Sequence, residues 1–102
     1  MEQMIAHIVC FQLKKTEKAS KEENIAEAKK LLDALPNKID EINAFEVGIN
    51  YNDTPAAYDL SLYSTFASKE DLEAYAIHPE HLKVVDFIKS CLQNRVVVDY
   101  EI

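Results

Sequence analysis

The chain has 102 residues, close to the commonest size of one domain and long enough to bury a core without a disulfide or metal. Its formal net charge of −7, with acidic residues spread along the chain, argues against binding to nucleic acid or an anionic membrane, since both favour a basic face. The single glycine, Gly48, excludes phosphate-binding glycine loops, and with them P-loop and Rossmann enzymes.

The N-terminus and the two cysteines indicate the cellular location. Residues 1–4 lack the basic start and cleavage site of a signal peptide, and no apolar run approaches a membrane span. Cys10 and Cys91 lie far apart in apolar patterns, without a Cys-x-x-Cys pair. We therefore expect a cytoplasmic protein with two reduced, buried thiols.

The first element is a predicted strand from Met4 to Lys14. His7, Val9 and Phe11 fall on one face of this strand, and the opposite face is also largely apolar. A strand that is apolar on both faces is typical of the centre of a sheet.

A helix is predicted next. Ser20 and Glu23 form a capping-box pattern at its start, and Pro36 ends it. Apolar residues at helical spacing form a stripe that should face inward, and Asn24 lies at the margin of this stripe. The stripe consists of Ile25, Ala28, Leu32 and Leu35.

Two more strands follow, over residues 44–51 and 58–66, with a turn cluster between them. The first of them alternates apolar and polar residues and resembles an edge strand. A second capping-box pattern, Ser68 to Asp71, then opens a short helix with Leu72, Tyr75 and Ala76 facing inward.

The segment around Pro79 separates that helix from the next one. Proline cannot donate a backbone hydrogen bond, so one helix should end near Ile77 and another begin with His78 as its N-cap. His81 then shares an apolar helical face with positions 85, 88 and 92 and should point inward. Residues 95–102 form the last predicted strand.

The order strand, helix, strand, strand, helix pair, strand predicts an α+β, ferredoxin-like β-α-β-β-α-β domain over residues 1–102, with helices on one face of an antiparallel sheet. The other face would carry Ile8, Cys10, Val96, Val98 and Tyr100. Such a patch is typical of a partner site, so we expect a homodimer through the sheet face, forming a dimeric α/β barrel.

Three stretches carry a resemblance to a known family: His7 to Lys14, Tyr75 to His81, and Val97 to Tyr100. Together they resemble, in register, the stress-responsive dimeric α/β barrel (Dabb) family. The His-Pro-x-His block after a tyrosine is the most specific part. The resemblance implies a cytosolic homodimer with a cavity between helices and sheet in each subunit.

One branch of that family consists of plant polyketide cyclases, which close a linear polyketide by an aldol condensation without a cofactor. Their acid–base residues fall on His7, Tyr75 and His81 of this sequence. A further pocket histidine of the cyclases is replaced here by Leu60. Their aromatic residues on the first helix align with Asn24, Ile25 and Ala28.

The resemblance therefore implies a site with His7, Tyr75 and His81 as acid–base residues. A histidine can take an acidic C–H proton, and a tyrosine hydroxyl can donate to the enolate oxygen. Two other interpretations stay open: a ligand-binding cavity without turnover, and purely structural side chains. The predicted ligand-binding residues are Val9, Phe11, Ile25, Ala28, Leu60, Leu62 and Ile88.

We expect neither a metal nor a cofactor. His78 and His81 lack a third ligand apart from His7, and the His-Glu-x-x-His pattern is absent. A cofactor-free or haem-dependent monooxygenase, another enzyme type on this fold, ranks below the cyclase-like hypothesis. The rival class is a non-catalytic stress-response or interaction protein whose function is the homodimer.

Overall fold

A computed structural model describes residues 4–102, so the first three residues of the predicted domain, 1–3, lie outside the described part. Four strands and three α-helices follow one another in ferredoxin-like order. They are β1 (Ile5–Leu13), α1 (Lys21–Asp33), a 3₁₀ helix (Leu35–Asn37), β2 (Ile42–Ile49), β3 (Leu60–Phe66), α2 (Lys69–Ile77), α3 (Pro79–Cys91) and β4 (Leu92–Glu101).

The four strands form one antiparallel sheet in the order β2-β3-β1-β4. β1 is central and β2 lies at an edge, as the apolar patterns predict. In the β1 register, His7 lies opposite Ser64 of β3 and Asp99 of β4. Directly opposed residues share a face, so these three side chains belong to the same side of the sheet.

The helix starts follow their capping residues. Ser20 and Glu23 form the full reciprocal capping box of α1. At α2, the Ser68 hydroxyl accepts from the Asp71 backbone N–H, but the return bond of a capping box does not form. The prediction of a second capping box is therefore only half right, since the aspartate side chain is one methylene shorter than glutamate.

The junction between α2 and α3 has the predicted form. α2 ends at Ile77, Pro79 is the first residue of α3, and His78 is the N-cap between them. The His78 Nδ1 accepts a hydrogen bond from the Glu80 backbone N–H at 3.1 Å. This bond assigns His78 to the helix start.

The end of β2 and the start of β4 differ from the predicted boundaries. β2 ends before Asn50, whose amide donates to the Tyr58 carbonyl and whose oxygen accepts from the Asn52 backbone within the β2–β3 loop. β4 begins at Leu92 and not at Arg95, because the extended backbone of Leu92 follows α3 without a loop.

The core lies between the helices and one face of the sheet, and α1 contributes a polar residue to it. Ala28, Leu32 and Leu35 are buried as predicted, and Ile25 packs at the core's margin. Asn24 is also buried, against the prediction, because its amide donates to the Lys14 carbonyl at 2.9 Å. A buried amide is tolerated when it is hydrogen-bonded in this way.

The opposite face of the sheet carries large apolar side chains that the chain itself leaves exposed. Val96, Val98 and Tyr100 are 49%, 57% and 47% exposed, and Tyr63 of β3 joins them. Cys10 lies on the same face, half-buried, whereas Cys91 is buried in the core, and both are free thiols.

Within residues 4–102, no helix combines the length and the apolar character needed to cross a membrane.

Candidate active site

A cavity of about 270 Å³ lies between the sheet and the helices, on the core side. Strands β1, β3 and β4 form its floor and α3 most of its roof, with α1 and α2 each adding one side chain. It is lined by His7, Val9, Phe11, Leu32, Leu62, Tyr75, His81, Val84, Val85, Ile88, Lys89, Leu92 and Arg95. This volume is near the lower end of the usual range for ligand sites, about 300 Å³, and suits a small molecule.

The three predicted acid–base residues come together in this cavity. The ring centroids of Tyr75 and His81 are 4.3 Å apart, and those of His7 and Tyr75 are 6.1 Å apart. They come from β1, α2 and α3, so only the tertiary fold brings them together. Their catalytic roles stay a prediction.

The Tyr75 hydroxyl is the unsatisfied group of the site. Tyr75 is 1% exposed, and its hydroxyl has no hydrogen-bond partner in the described part of the chain. Burial raises the pKa of Tyr75 above its ordinary value, and this outweighs the opposing effect of the Arg95 charge. The phenol therefore keeps its proton at neutral pH and can donate it to an acceptor.

The ring of His81 is oriented by the end of the preceding helix. Its Nδ1 lies 3.0 Å from the Ala76 carbonyl oxygen. A carbonyl oxygen can only accept, so Nδ1 carries the hydrogen and Nε2 of the neutral ring has a free lone pair. Burial is the main cause that lowers the pKa of His81; the Ala76 hydrogen bond opposes it, and the charges of His7, Arg95 and His78 add to the lowering. A neutral imidazole with a free nitrogen is what a general base requires.

His7 is held by a residue that the sequence did not single out. Its Nδ1 lies 2.5 Å from the Asp99 carboxylate, and the two residues face each other across β1 and β4. A carboxylate in this position fixes the ring orientation and the tautomer of a histidine. Alternation along the last strand places Asp99 on its inner face, but only the β1–β4 register reveals its partner.

Two further cavity residues were missed by the sequence argument, Lys89 of α3 and Arg95 of β4. Both residues are largely exposed to solvent. In the sequence, Arg95 is notable only as the first residue of the last predicted strand, and Lys89 belongs to no recognised motif. The i, i+4 relation of Lys89 to Val85, which also lines the cavity, is a weak signal that could have found it.

The predicted ligand-binding residues divide into two groups. Val9, Phe11, Leu62 and Ile88 line the cavity. The structure places Ile25, Ala28 and Leu60 outside its lining: Ala28 and Leu60 are fully packed in the core, and Ile25 packs against its margin. The α1 residue that reaches the cavity is Leu32, one turn further along the helix than Ala28.

Residues 4–102 contain no cluster of three or more histidine, cysteine, aspartate or glutamate side chains arranged to hold a metal ion. The His78 Nδ1, which a metal could have used, accepts the Glu80 backbone N–H instead.

Comparison with known structures agrees with this architecture. A dimeric protein of unknown function and ferredoxin-like fold from Bacteroides fragilis is 36% identical, with a TM-score of 0.83 and full coverage of both chains. A hydroxynitrile lyase from Passiflora edulis is 21% identical, with a TM-score of 0.80, over 100% of this chain and 95% of that one. At this identity the lyase shows the fold alone.

Sequence comparison identifies the family. The stress-response A/B barrel domain-containing protein DABB1 of Arabidopsis thaliana is 49% identical over 39 residues, which cover 38% of this chain and only 19% of that protein. The sequence model of the stress-responsive A/B barrel domain matches residues 5–102. The chain therefore belongs to the stress-responsive A/B barrel (Dabb) family.

Proposed function

We propose that the protein binds a small, largely apolar carbonyl compound in the cavity and transfers its protons without a cofactor. The observation that carries this proposal is the Tyr75 hydroxyl, which is buried without a partner among residues 4–102. Tyr75 and His81 line the same cavity. An unpaired buried hydroxyl costs roughly 1–3 kcal/mol. A ligand oxygen that accepts its hydrogen bond would recover part of that free energy.

The chemistry follows from the states of the two side chains. The His81 Nε2 takes a proton from the carbon next to the carbonyl group, and the C–H electron pair becomes the C=C bond of an enolate. The carbonyl π electrons move to oxygen, where the Tyr75 hydroxyl donates a hydrogen bond to the developing charge. The imidazolium returns a proton to carbon, or the enolate carbon attacks a second carbonyl in an aldol step. In the aldol step, the π electrons of the second carbonyl move to its oxygen, and the imidazolium protonates the alkoxide that forms.

The apolar lining supports this assignment. Val9, Phe11, Leu62 and Ile88 give the cavity apolar walls, which leave little room for water beside the two polar groups. Electrostatic interactions strengthen when water is excluded, so a single phenol donor has a larger effect here than in solution. The resemblance of these positions to the acid–base residues of the plant cyclases points to the same class of reaction.

We also propose that two copies of the chain pair through the open sheet face. The support is the exposed apolar surface of Val96, Val98 and Tyr100. A soluble monomer rarely leaves so contiguous an apolar patch open. The Bacteroides fragilis protein, similar over its full length, is dimeric, which supports a dimer of this chain.

Proton exchange at a methyl ketone tests the catalytic proposal without knowledge of the natural substrate. With octan-2-one in D₂O, the protein should accelerate replacement of the α-protons by deuterium, followed by NMR. Replacing Tyr75 by phenylalanine should lower the enzymatic rate roughly a hundredfold, because one preorganised donor to the enolate oxygen is lost.

The Tyr75→Phe variant should keep its fold, since the ring still packs on Phe66 at a centroid distance of 5.0 Å. Its free energy of unfolding should stay the same or rise, because the lost hydroxyl had no partner. Tyr63→Phe, on the opposite face of the sheet, is the matched control and should keep the full rate. An unchanged rate in Tyr75→Phe would remove the hydroxyl from the mechanism.

A further inference from the structure

The cavity has a charge pattern that acid–base chemistry on a neutral ketone does not require. Acidic residues outnumber basic ones in the chain by 18 to 11. Among the described residues, the cavity lining nevertheless contains two cations, Lys89 and Arg95, and no acidic side chain. The local charge therefore has the opposite sign to that of the protein.

Within residues 4–102, neither cation is paired with a carboxylate. In residues 4–102, ion pairs form at Lys21, Lys29, Lys38, Lys69 and Lys83, but none includes Lys89 or Arg95. The Asp99 carboxylate, on the same strand face as Arg95, is already engaged by the His7 Nδ1. Both cations thus remain available to an anionic group of a ligand.

The positive charge of Arg95 acts on the interior of the site. It opposes the effect of burial on the pKa of Tyr75 and adds to the lowering of the pKa of His81. Arg95 lines the same cavity as Tyr75 and His81, so its charge can act on both side chains.

The sheet register separates the end of the cavity at Arg95 from the end at His7 and Tyr75. Arg95 lies opposite Phe11, whereas Asp99 lies opposite His7, next to Tyr75. Four residues along a strand correspond to about 13 Å between backbone positions. Val9 and its β4 partner Val97 occupy the strand positions between these ends.

We infer that the natural ligand is an amphipathic oxo acid, with its carboxylate bound by Arg95 and Lys89 and its ketone oxygen at Tyr75, separated by an apolar chain. This inference rests on the proposed function and names its substrate class. Arginine binds carboxylates through two parallel N–H donors, so Arg95 is the specificity-determining residue and Lys89 adds charge.

A matched pair of ketones tests the inference. The substrates are 7-oxooctanoate and 7-oxooctanamide, which have nearly the same shape and differ in charge. In the D₂O exchange assay, the protein should prefer the carboxylate in kcat/KM by about tenfold, mainly through a lower KM. Raising the salt concentration should reduce this preference, because exposed charges are screened.

Substitutions test whether Arg95 causes the preference for the carboxylate substrate. Arg95→Gln should bring the ratio of the two kcat/KM values close to one, and Arg95→Lys should restore part of it. Lys83→Gln, on the same helix as Lys89 but outside the cavity lining, is the control and should keep the wild-type ratio. Circular dichroism spectra establish that each variant is folded.

The outcomes separate this inference from the proposed function. Equal use of acid and amide by the wild-type protein, with Tyr75-dependent exchange of both, overturns the oxo-acid assignment and leaves the proton-transfer site intact. A preference that survives Arg95→Gln also overturns it. Absence of protein-catalysed exchange with octan-2-one and both matched ketones overturns the inference together with the proposed function.

Discussion

Replacing His81 by glutamine is expected to lower the rate of α-proton exchange by at least about a hundredfold. Positioned general acid–base catalysis contributes roughly 10²–10⁴-fold, and glutamine offers no basic nitrogen. The glutamine amide can still donate a hydrogen bond to the Ala76 carbonyl, which now accepts from the imidazole at 3.0 Å. The fold should therefore persist while the exchange rate, measured by NMR with octan-2-one, falls.

His78→Gln is the matched control for this experiment. His78 is three residues away and caps α3 from outside the cavity lining. Its replacement should reduce thermal stability slightly, because an N-cap acceptor is changed, and should leave the exchange rate intact. Equal rates for His81→Gln and the wild type would show that His81 is structural. Its replacement would then change only the free energy of unfolding, by up to about 1–3 kcal/mol if the glutamine amide fails to reach the Ala76 carbonyl.

Replacing Val98 by aspartate is expected to raise the dissociation constant of the dimer by at least about a hundredfold. Val98 is 57% exposed on the sheet face that we propose as the interface. Burying an unpaired carboxylate against a second apolar sheet costs several kcal/mol, and each 1.4 kcal/mol is a factor of ten. The two-fold symmetry of a homodimer places this cost on both copies.

Val97→Asp is the control, because Val97 is 45% exposed on the other face of the same strand. Light scattering coupled to size exclusion at micromolar concentration should give twice the chain mass for the wild type and for Val97→Asp. Val98→Asp should give the mass of one chain. A wild-type monomer under these conditions, or a Val98→Asp dimer, would exclude pairing through this face.

Local sequence patterns were sufficient to predict the elements and their order. Period-two alternation located all four strands, and the burial of β1 on its helix side follows from its apolar residues. The Ser20 capping box and Pro79 marked the two clearest helix starts, and both are confirmed. These signals depend on interactions between residues that are close in sequence, within one helical turn or one strand.

Features that depend on strand register or on side-chain partners could not be predicted. The contact between His7 and Asp99 joins residues 92 positions apart, and only the β1–β4 register sets it. Asn24 is polar yet buried, because the Lys14 carbonyl happens to lie within reach of its amide. Leu32 lines the cavity in place of Ala28 because the depth of the cavity along α1 depends on how the helix crosses the sheet.

The protonation state of the His81 ring decides whether this cavity can carry out acid–base chemistry at neutral pH. Its pKa is lowered from the ordinary value of 6.5, mainly by burial. Because the folded protein binds this proton less well than the unfolded chain, His81 contributes stability above pH 6.5 that is lost as the pH falls below it. The same shift makes His81 a competent base at neutral pH, with an acid limb of the rate profile below pH 6.5.

Long-range ¹H–¹⁵N NMR of the three histidines, with and without octan-2-one, is the decisive measurement. We predict that His81 titrates below pH 6.5 and is the Nδ1–H tautomer at pH 7. We also predict that the ketone shifts its Nε2 resonance while the resonances of His78 stay in place. A His81 that is protonated at pH 7, or whose Nε2 resonance does not respond to saturating ketone, would contradict the assignment of this cavity as an acid–base site.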